Sequence, residues 1–469
     1  TSLVQKRNVF KHIFYNKRCK TMGEIARTLQ VTQSAHLNRF IDNRDLSKLV
    51  KQFGTPLYII DEQTLHRKVK ELSDAYKKFK GSVKVAYSIK ANFNPAVLKT
   101  FMKDNILFDA TSTGELYFYN MCKGNPENII YTSVTEELEE YEYALKNGVR
   151  RIVVSSYNGL VNLEEAARRL NIRPSTMIRI NPEVGVKAEV RASYRHGKFG
   201  VPFNTNAIDS ATNIIKKILA DNILSFEGFH FHLGSQITDF ACFTNALDKL
   251  EAFIAKMKKE YPNFAVNTID IGGGTPVFYG EDVPSPGEIA SSIIGKLNEI
   301  ADTYNNFSLV IESGRYLTAE STILVSKIVN TKEYANDKFV IVDAGYHILL
   351  DSALLKQEYP QEVVFTDGKN NHDVPNGNGN GNGSKVHLAG RLCDTYDVFP
   401  ISKVSQLNNA DRNKYVLFYN VGAYSIVFNM PFHCQTKPPV VMKKNSGQFV
   451  VVRKPTSIEH LFLEEGGNL

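Results

Sequence analysis

Eight short apolar or alternating runs recur along this chain, at residues 83–89 (VKVAYSI), 106–109 (ILFD), 128–132 (NIIYT), 151–155 (RIVVS), 176–180 (TMIRI), 225–232 (SFEGFHFH), 267–271 (NTIDI) and 307–311 (FSLVI). Each has the length of a strand. The segments between them carry helical spacing and charged faces, as in 136–147 (EELEEYEYALKN) and 161–170 (VNLEEAARRL). Strand and helix alternating eight times is the pattern of a (β/α)8 barrel, an α/β fold, with a doubly wound sheet as the rival.

After Glu312 the rhythm changes to strand, turn, strand, with strands expected over 317–329, 338–343, 362–366, 385–392, 414–421 and 448–453. The (β/α)8 barrel is therefore followed by a mostly β C-terminal domain, which an early N-terminal strand at 56–60 (PLYII) is placed to join. At 469 residues the chain exceeds one core of ordinary size, which agrees with such a division. The expected boundaries are a basic extension over 1–45, the barrel over 46–320, and the β domain over 321–469 with about 54–62 added. A flexible loop over 368–384 contains the run NGNGNGNG, which offers nothing to a core.

The net charge of +7 is spread through interleaved acids and bases, so no nucleic-acid surface is indicated, and no apolar run approaches a membrane span. The cysteines (Cys19, Cys122, Cys242, Cys393, Cys434) are scattered, odd in number and without a CxxC pair, which fits a reducing, cytoplasmic setting. Lys6, Arg7, Lys11, Lys17, Arg18 and Lys20 precede the first acid, as in an organelle transit peptide or a plain basic tail.

In a (β/α)8 barrel the chemistry sits at the carboxyl ends of the strands. The residues closing these runs are Lys90, Asp109, Arg179, His232, the triplet Gly272, Gly273 and Gly274, and Glu312. A single lysine there would be a charge snorkelling to solvent; five such groups on one rim form a candidate site. IGGGTP and ESGRYL follow the last two strands, where three glycines admit an anion and Arg315 offers a planar fork for phosphate, although IGGGTP also reads as a tight turn. His230 and His232 share a strand face, but no acid at useful spacing completes a ligand set, so no metal is assigned. Pyridoxal 5′-phosphate would use these groups together: an amine at Lys90, a carboxylate at Glu312, an imidazole against its ring, and a phosphate site with Ser235.

YSIKAN, FHLGSQ, DIGGG, ESGRY, LCD and GAY, in this order, resemble the fold-type III pyridoxal-phosphate amino-acid decarboxylases, which include diaminopimelate and ornithine decarboxylases and share an alanine-racemase-like fold. The likeness runs from about Gly54 to the terminal VVRKPTSIEHLF. It implies that Lys90 holds the cofactor, His232 stacks on its ring and Glu312 keeps the ring nitrogen protonated. Ser235, Gly274 and Arg315 would meet the phosphate, with Tyr424 reaching its region, Gly272, Gly273 and Gly314 also binding the cofactor, and Asp109 and Arg179 in support. Cys393 and Asp394 would cross the interface of a homodimer into the neighbouring site, with Cys393 as proton donor.

The resemblance implies decarboxylation of a diamino acid, first of all meso-diaminopimelate to L-lysine. Where those enzymes carry DNPRPALY, this chain reads VDAGYHILLDSALL, with Asp351 in place of the arginine and Leu355 in place of the tyrosine. ILLD also resembles the ILYD of ornithine decarboxylases, so a substrate with a distal amine, or a polyamine or siderophore precursor, is the alternative. Other departures are Ser313 and Arg391, where proline is usual, and a loop YTSVTEEL without the usual Asn and Lys. Arg391 is placed either to replace the missing cation at the substrate's far end or to pair with Asp351. Substrate contacts therefore fall to Arg315, Asp351, Arg391 and Asp394. A racemase would carry an arginine where Glu312 stands, and a non-catalytic cofactor-binding regulator would lack Lys90 or Cys393.

Overall fold

Strand alternation sets the interior of the molecule before any long-range contact is considered. The computed structural model describes residues 37–194, 197–304, 306–364, 385–402, 407, 410–412 and 414–467. The N-terminal basic residues and the loop 368–384 lie outside them. In chain order the strands are β1 (Leu57–Asp61), β2 (Ser82–Ser88), β3 (Leu107–Ala110), β4 (Ile129–Tyr131), β5 (Arg151–Val154), β6 (Ser175–Arg179), β7 (Val190–Arg191), β8 (Ser225–His230), β9 (Gly234–Ser235), β10 (Thr268–Asp270) and β11 (Ser308–Ser313). Strands β2, β3, β4, β5, β6, β8, β10 and β11 close a parallel barrel, with β11 returning to β2. The barrel, and not the doubly wound sheet, is the fold.

Ala86, Leu107, Ile130, Val153, Met177 and Val310 form a separate apolar cluster, one residue from each of six barrel strands. Because side chains alternate along a strand, the residue two further on enters the next layer toward the carboxyl end. Those residues include Asp109, Arg179 and Glu312. The helices wrapping the barrel start on polar caps that satisfy their free N–H groups: Ser112, Ser156 and Ser210 accept from Glu115, Gly159 and Asn213. Two of them stop at Asn171 and Asn222, both in the left-handed conformation that asparagine tolerates.

The second sheet contains β12 (Thr322–Tyr334), β13 (Asp337–Val342), β14 (Gln361–Val364), β15 (Lys385–Ala389), β16 (Val398–Phe399), β17 (Tyr415–Phe418), β18 (Val440–Lys443) and β19 (Phe449–Arg453). The early strand β1 lies in its middle, antiparallel to β12 and parallel to β18. Three expectations need correction. The first strand of this sheet begins at Thr322 because 315–321 is helical. The strand expected to run to Leu392 ends at Ala389, where a Cβ at Gly390 would stand 2.2 Å from the Asp397 carboxylate that accepts from Leu392 and Tyr346. The helix Asn43–Phe53, capped by Asp42, runs through the boundary expected at residue 45. Among the described residues no helix is long and apolar enough to cross a membrane.

Candidate active site

The carboxyl end of the barrel collects charge that the apolar layer beneath it excludes. Arg179, His230 and Asp270 are direct cross-strand partners on β6, β8 and β10, so their side chains form one row. Glu312 lies on β11, two residues past Val310, and Asp109 on β3, two past Leu107. Lys90 stands one turn beyond β2, with its Nζ 3.2 Å from Asp109 Oδ2. Its side chain is 43 % exposed at the barrel mouth, whereas Asp109 is buried. Partial desolvation works against the ammonium, but Asp109 first and then Tyr424 and Glu312 raise its pKa above the ordinary lysine range.

Glu312 and its neighbours divide into ionised and neutral groups. Burial alone would raise the Glu312 pKa; His230, whose Nε2 is 3.2 Å from Oε1, and Lys90 more than offset this and hold it below the usual range. Asp270, fully buried and facing Glu312, is pushed well above that range by burial and by that repulsion. Asp109 moves up for the same two reasons, against the pull of Lys90. His232 accepts from Gly273 N–H at Nδ1 over 3.0 Å, which leaves its proton on Nε2, and burial pushes its pKa down to about 3. A ring so held is neutral and suits flat packing against an aromatic ligand.

The glycine loop runs past this row at a spacing a side chain would spoil. At Gly272, with φ +67°, a Cβ would meet Phe231 O at 2.4 Å; at Gly274 it would meet Ile237 Cδ1 at 2.6 Å and Gly234 O at 2.9 Å. Arg315 lies beside it. Its Nε donates to Ser235 Oγ over 3.4 Å, its Nη1 to Tyr279 OH over 3.5 Å, and its guanidinium lies 4.9 Å from the centre of the Tyr424 ring. At Gly314, one residue earlier, a Cβ would stand 2.8 Å from the Ala91 Cβ and 3.3 Å from the Ser88 Cβ.

Asp351 is buried beside Arg315, with Oδ2 3.6 Å from Nη1. Its cation is therefore Arg315 and not Arg391, which lies by His347 and opposes protonation of that ring. Cys393 and Asp394 lie on the loop after β15. Cys393 is exposed, and its N–H donates to His433 Nδ1 over 3.3 Å. Asp394 accepts from Tyr346 OH and Tyr396 N–H. Among the described residues neither hydrogen-bonds to the Lys90 group.

Sequence reading passed over three acids here. Asp270 is hidden in the apolar run NTIDI, where only its shared parity with Thr268 marks it as inward. Glu115 accepts from Thr111 N–H, and burial raises it to about 7. Glu189 is raised by burial against the pull of Arg315. The structure also supplies the acids that spacing alone did not give His230: ligand atoms of His230, Asp270 and Glu312 lie within 4.8 Å of one another.

The amine, the opposed carboxylate, the neutral imidazole and the glycine cradle beside Arg315 are the parts a pyridoxal phosphate molecule would contact. The chain matches the family described as pyridoxal-dependent decarboxylase, pyridoxal binding domain, over residues 63–319. It is 27 % identical to the diaminopimelate decarboxylase of Methanocaldococcus jannaschii over 425 residues, 89 % of this chain and 92 % of that one. With the enzyme of the same name from Methanothermobacter thermautotrophicus it shares 29 % over 442 residues, 92 % of this chain and 96 % of that one. In fold it is similar to the M. jannaschii diaminopimelate decarboxylase crystallised with L-lysine (TM-score 0.78, 24 % identity, 90 % of this chain and 94 % of that one). It is also similar to the lysine/ornithine decarboxylase of Vibrio vulnificus complexed with putrescine (TM-score 0.69, 20 % identity, 87 % of this chain and 99 % of that one).

Proposed function

The chain belongs to the pyridoxal-dependent decarboxylases, amino-acid carboxy-lyases that use pyridoxal 5′-phosphate, and on that premise we propose that it converts meso-diaminopimelate to L-lysine and carbon dioxide. What supports the reading most is the convergence of Lys90, Asp109, Glu312 and the row of Arg179, His230 and Asp270 on one barrel mouth. The bound cofactor supplies a sink for the electrons of the breaking carbon–carboxylate bond. Lys90 supplies the amine that anchors it. Glu312 presents a carboxylate to its ring nitrogen, His232 packs on the ring without adding charge, and Asp109 and Arg179 hold this arrangement from the barrel wall. Ser235, the glycine loop, Gly314, Arg315 and Tyr424 take the phosphate.

In the same proposal the protein is a homodimer in which the exposed loop carrying Cys393 and Asp394 reaches the partner's site, and Cys393 returns a proton to the substrate carbon. Residues 46–320 bind the cofactor, and 321–469 with about 54–62 present that loop. The far end of the substrate meets Arg315 and Asp351, with Arg391 and Asp394 arriving from the partner. A pair of opposite charges suits a distal group that carries both an ammonium and a carboxylate, as meso-diaminopimelate does.

A second reading, a substrate ending in an amine alone, draws on one observation: Arg315 already faces Asp351, and Glu189 lies close enough to feel both charges. Carbon dioxide release across meso-diaminopimelate, lysine, ornithine and arginine tests both. The first reading expects meso-diaminopimelate to exceed the others in kcat/KM by at least about tenfold; the reverse order selects the second.

A further inference from the structure

His230 takes no part in the roles assigned above, yet it is the buried group nearest Glu312. Its Nε2 lies 3.2 Å from Glu312 Oε1, and the ring is 1 % exposed. Among the described residues its other nitrogen, Nδ1, has no hydrogen-bond partner, and neither has Asp270 Oδ2 or Asp109 Oδ1. The groups facing this point from every strand around it are Lys90 after β2, Asp109 on β3, Arg179 on β6, His232 after β8, Asp270 on β10 and Glu312 on β11. Three carboxylates therefore converge in a space without solvent, and they cannot all ionise.

The geometry points to His230 as a positioning residue: by donating its Nε2–H to Oε1 it makes Glu312 the carboxylate that stays ionised and turns its other oxygen toward the cofactor's ring nitrogen. This rests on the reading of the site as one for pyridoxal phosphate. The selection follows from the register. Asp270 is the cross-strand partner of His230 but offers one oxygen to Gly272 N–H and none to the imidazole, so it keeps a proton. Asp109 is committed to Lys90. Among the described residues Glu312 is the carboxylate of this layer that pairs with the imidazole. Without that donor, burial and the two neighbouring acids act on Glu312 unopposed on this side, and the proton shared with the ring nitrogen moves to the carboxylate. A neutral pyridine is a far weaker electron sink than a pyridinium.

The test loads the full-length holoenzyme with cofactor labelled with nitrogen-15 in its ring and records the ring nitrogen shift in wild type and in His230→Gln, His230→Asn and His230→Leu. Glutamine reaches the Nε2 position with an N–H donor; asparagine is too short and leucine has none. Wild type and His230→Gln should show pyridinium, and His230→Asn and His230→Leu should move toward neutral pyridine. In those two variants kcat should fall roughly 10–100-fold with KM nearly unchanged, the range for losing a group that orients a directly contacting one. A pyridinium shift in both overturns the proposal. So does a stoichiometric metal ion found in wild type and lost from His230→Leu, since His230, Asp270 and Glu312 would then be its ligands. If wild type fails to retain the labelled cofactor, the reading of the site falls, and this proposal with it.

Discussion

Replacing Asp351 with asparagine should change substrate preference by opposite factors for opposite distal charges. Asp351 and Arg315 are 3.6 Å apart with side chains 5 % and 7 % exposed, so at an effective dielectric of about 20 their attraction is roughly 4–5 kcal/mol. Desolvation absorbs much of this, as the raised Asp351 pKa shows: burial outweighs the pull of Arg315. A carboxylate docked on the far edge of the guanidinium lies about twice as far from Asp351 as the guanidinium does, and is repelled by roughly 2 kcal/mol, a factor of about 30. An ammonium in the same place is attracted by a similar amount. Asp351→Asn should therefore raise kcat/KM for 2-aminopimelate about 30-fold and lower it for lysine about 30-fold. Their ratio moves by about 10³, while meso-diaminopimelate, which carries both charges, stays within about threefold. Carbon dioxide release from the three compounds measures this directly, with a thermal melt to confirm that the variant is folded. Equal losses on all three would refute the reasoning and reduce Asp351 to a support for Arg315.

Lys90→Ala should abolish turnover and remove the borohydride-fixed cofactor adduct that mass spectrometry is expected to find on the wild-type peptide containing Lys90. Mixing inactive Lys90→Ala with inactive Cys393→Ala should restore activity toward about a quarter of wild type, because in a two-fold dimer with shared sites one site of each mixed pair is intact; no recovery would place Cys393 in its own protomer's site. For the cofactor-free protein, stability should fall with acid. In the unfolded chain His232 takes up a proton below the ordinary histidine value of 6.5, whereas in the fold burial holds its pKa down to about 3. Between those values the unfolded chain binds more protons, so this residue alone removes roughly 1.4 kcal/mol per pH unit as pH drops, and His347, held down to about 4, acts in the same direction. Urea unfolding followed from neutral pH to about pH 4.5 checks this, and His232→Phe should flatten the slope.

The barrel was legible because its strands are bounded by helical spacing and each ends on a polar residue whose parity matches the apolar one two places before it. Leu107 and Asp109, Met177 and Arg179, and Val310 and Glu312 all show this pairing. The strand β18 was not legible. Its four residues, VVMK, follow two prolines and precede a tight turn, and their place beside β1 is set by a partner nearly 400 residues earlier in the sequence. Contacts that depend on crossing strands were hidden for the same reason. Nothing near FHFH announces Glu312, 82 positions on. Nor does ILLD announce Arg315, which its aspartate meets only because the helix after β11 and the short helix before β14 come together.

The charges at the barrel end also explain why this layer can be buried at all. Burial and the repulsion of Glu312 push Asp270 well above the usual carboxylate range, so it adds little negative charge, and Asp109 and Glu312 face Lys90 and Arg179 across the layer. A ligand that presents a protonated ring nitrogen would meet its countercharge in Glu312, which is held below the usual carboxylate range. Arg315 stands at the edge of this layer, between Ser235 and Tyr424, where an anionic end of the same ligand would be received. The fold therefore favours a molecule that is cationic at one end and anionic at the other, with a flat body between. A free phosphate or a free pyridine meets only half of these demands, so each should bind far more weakly than the two joined in one molecule.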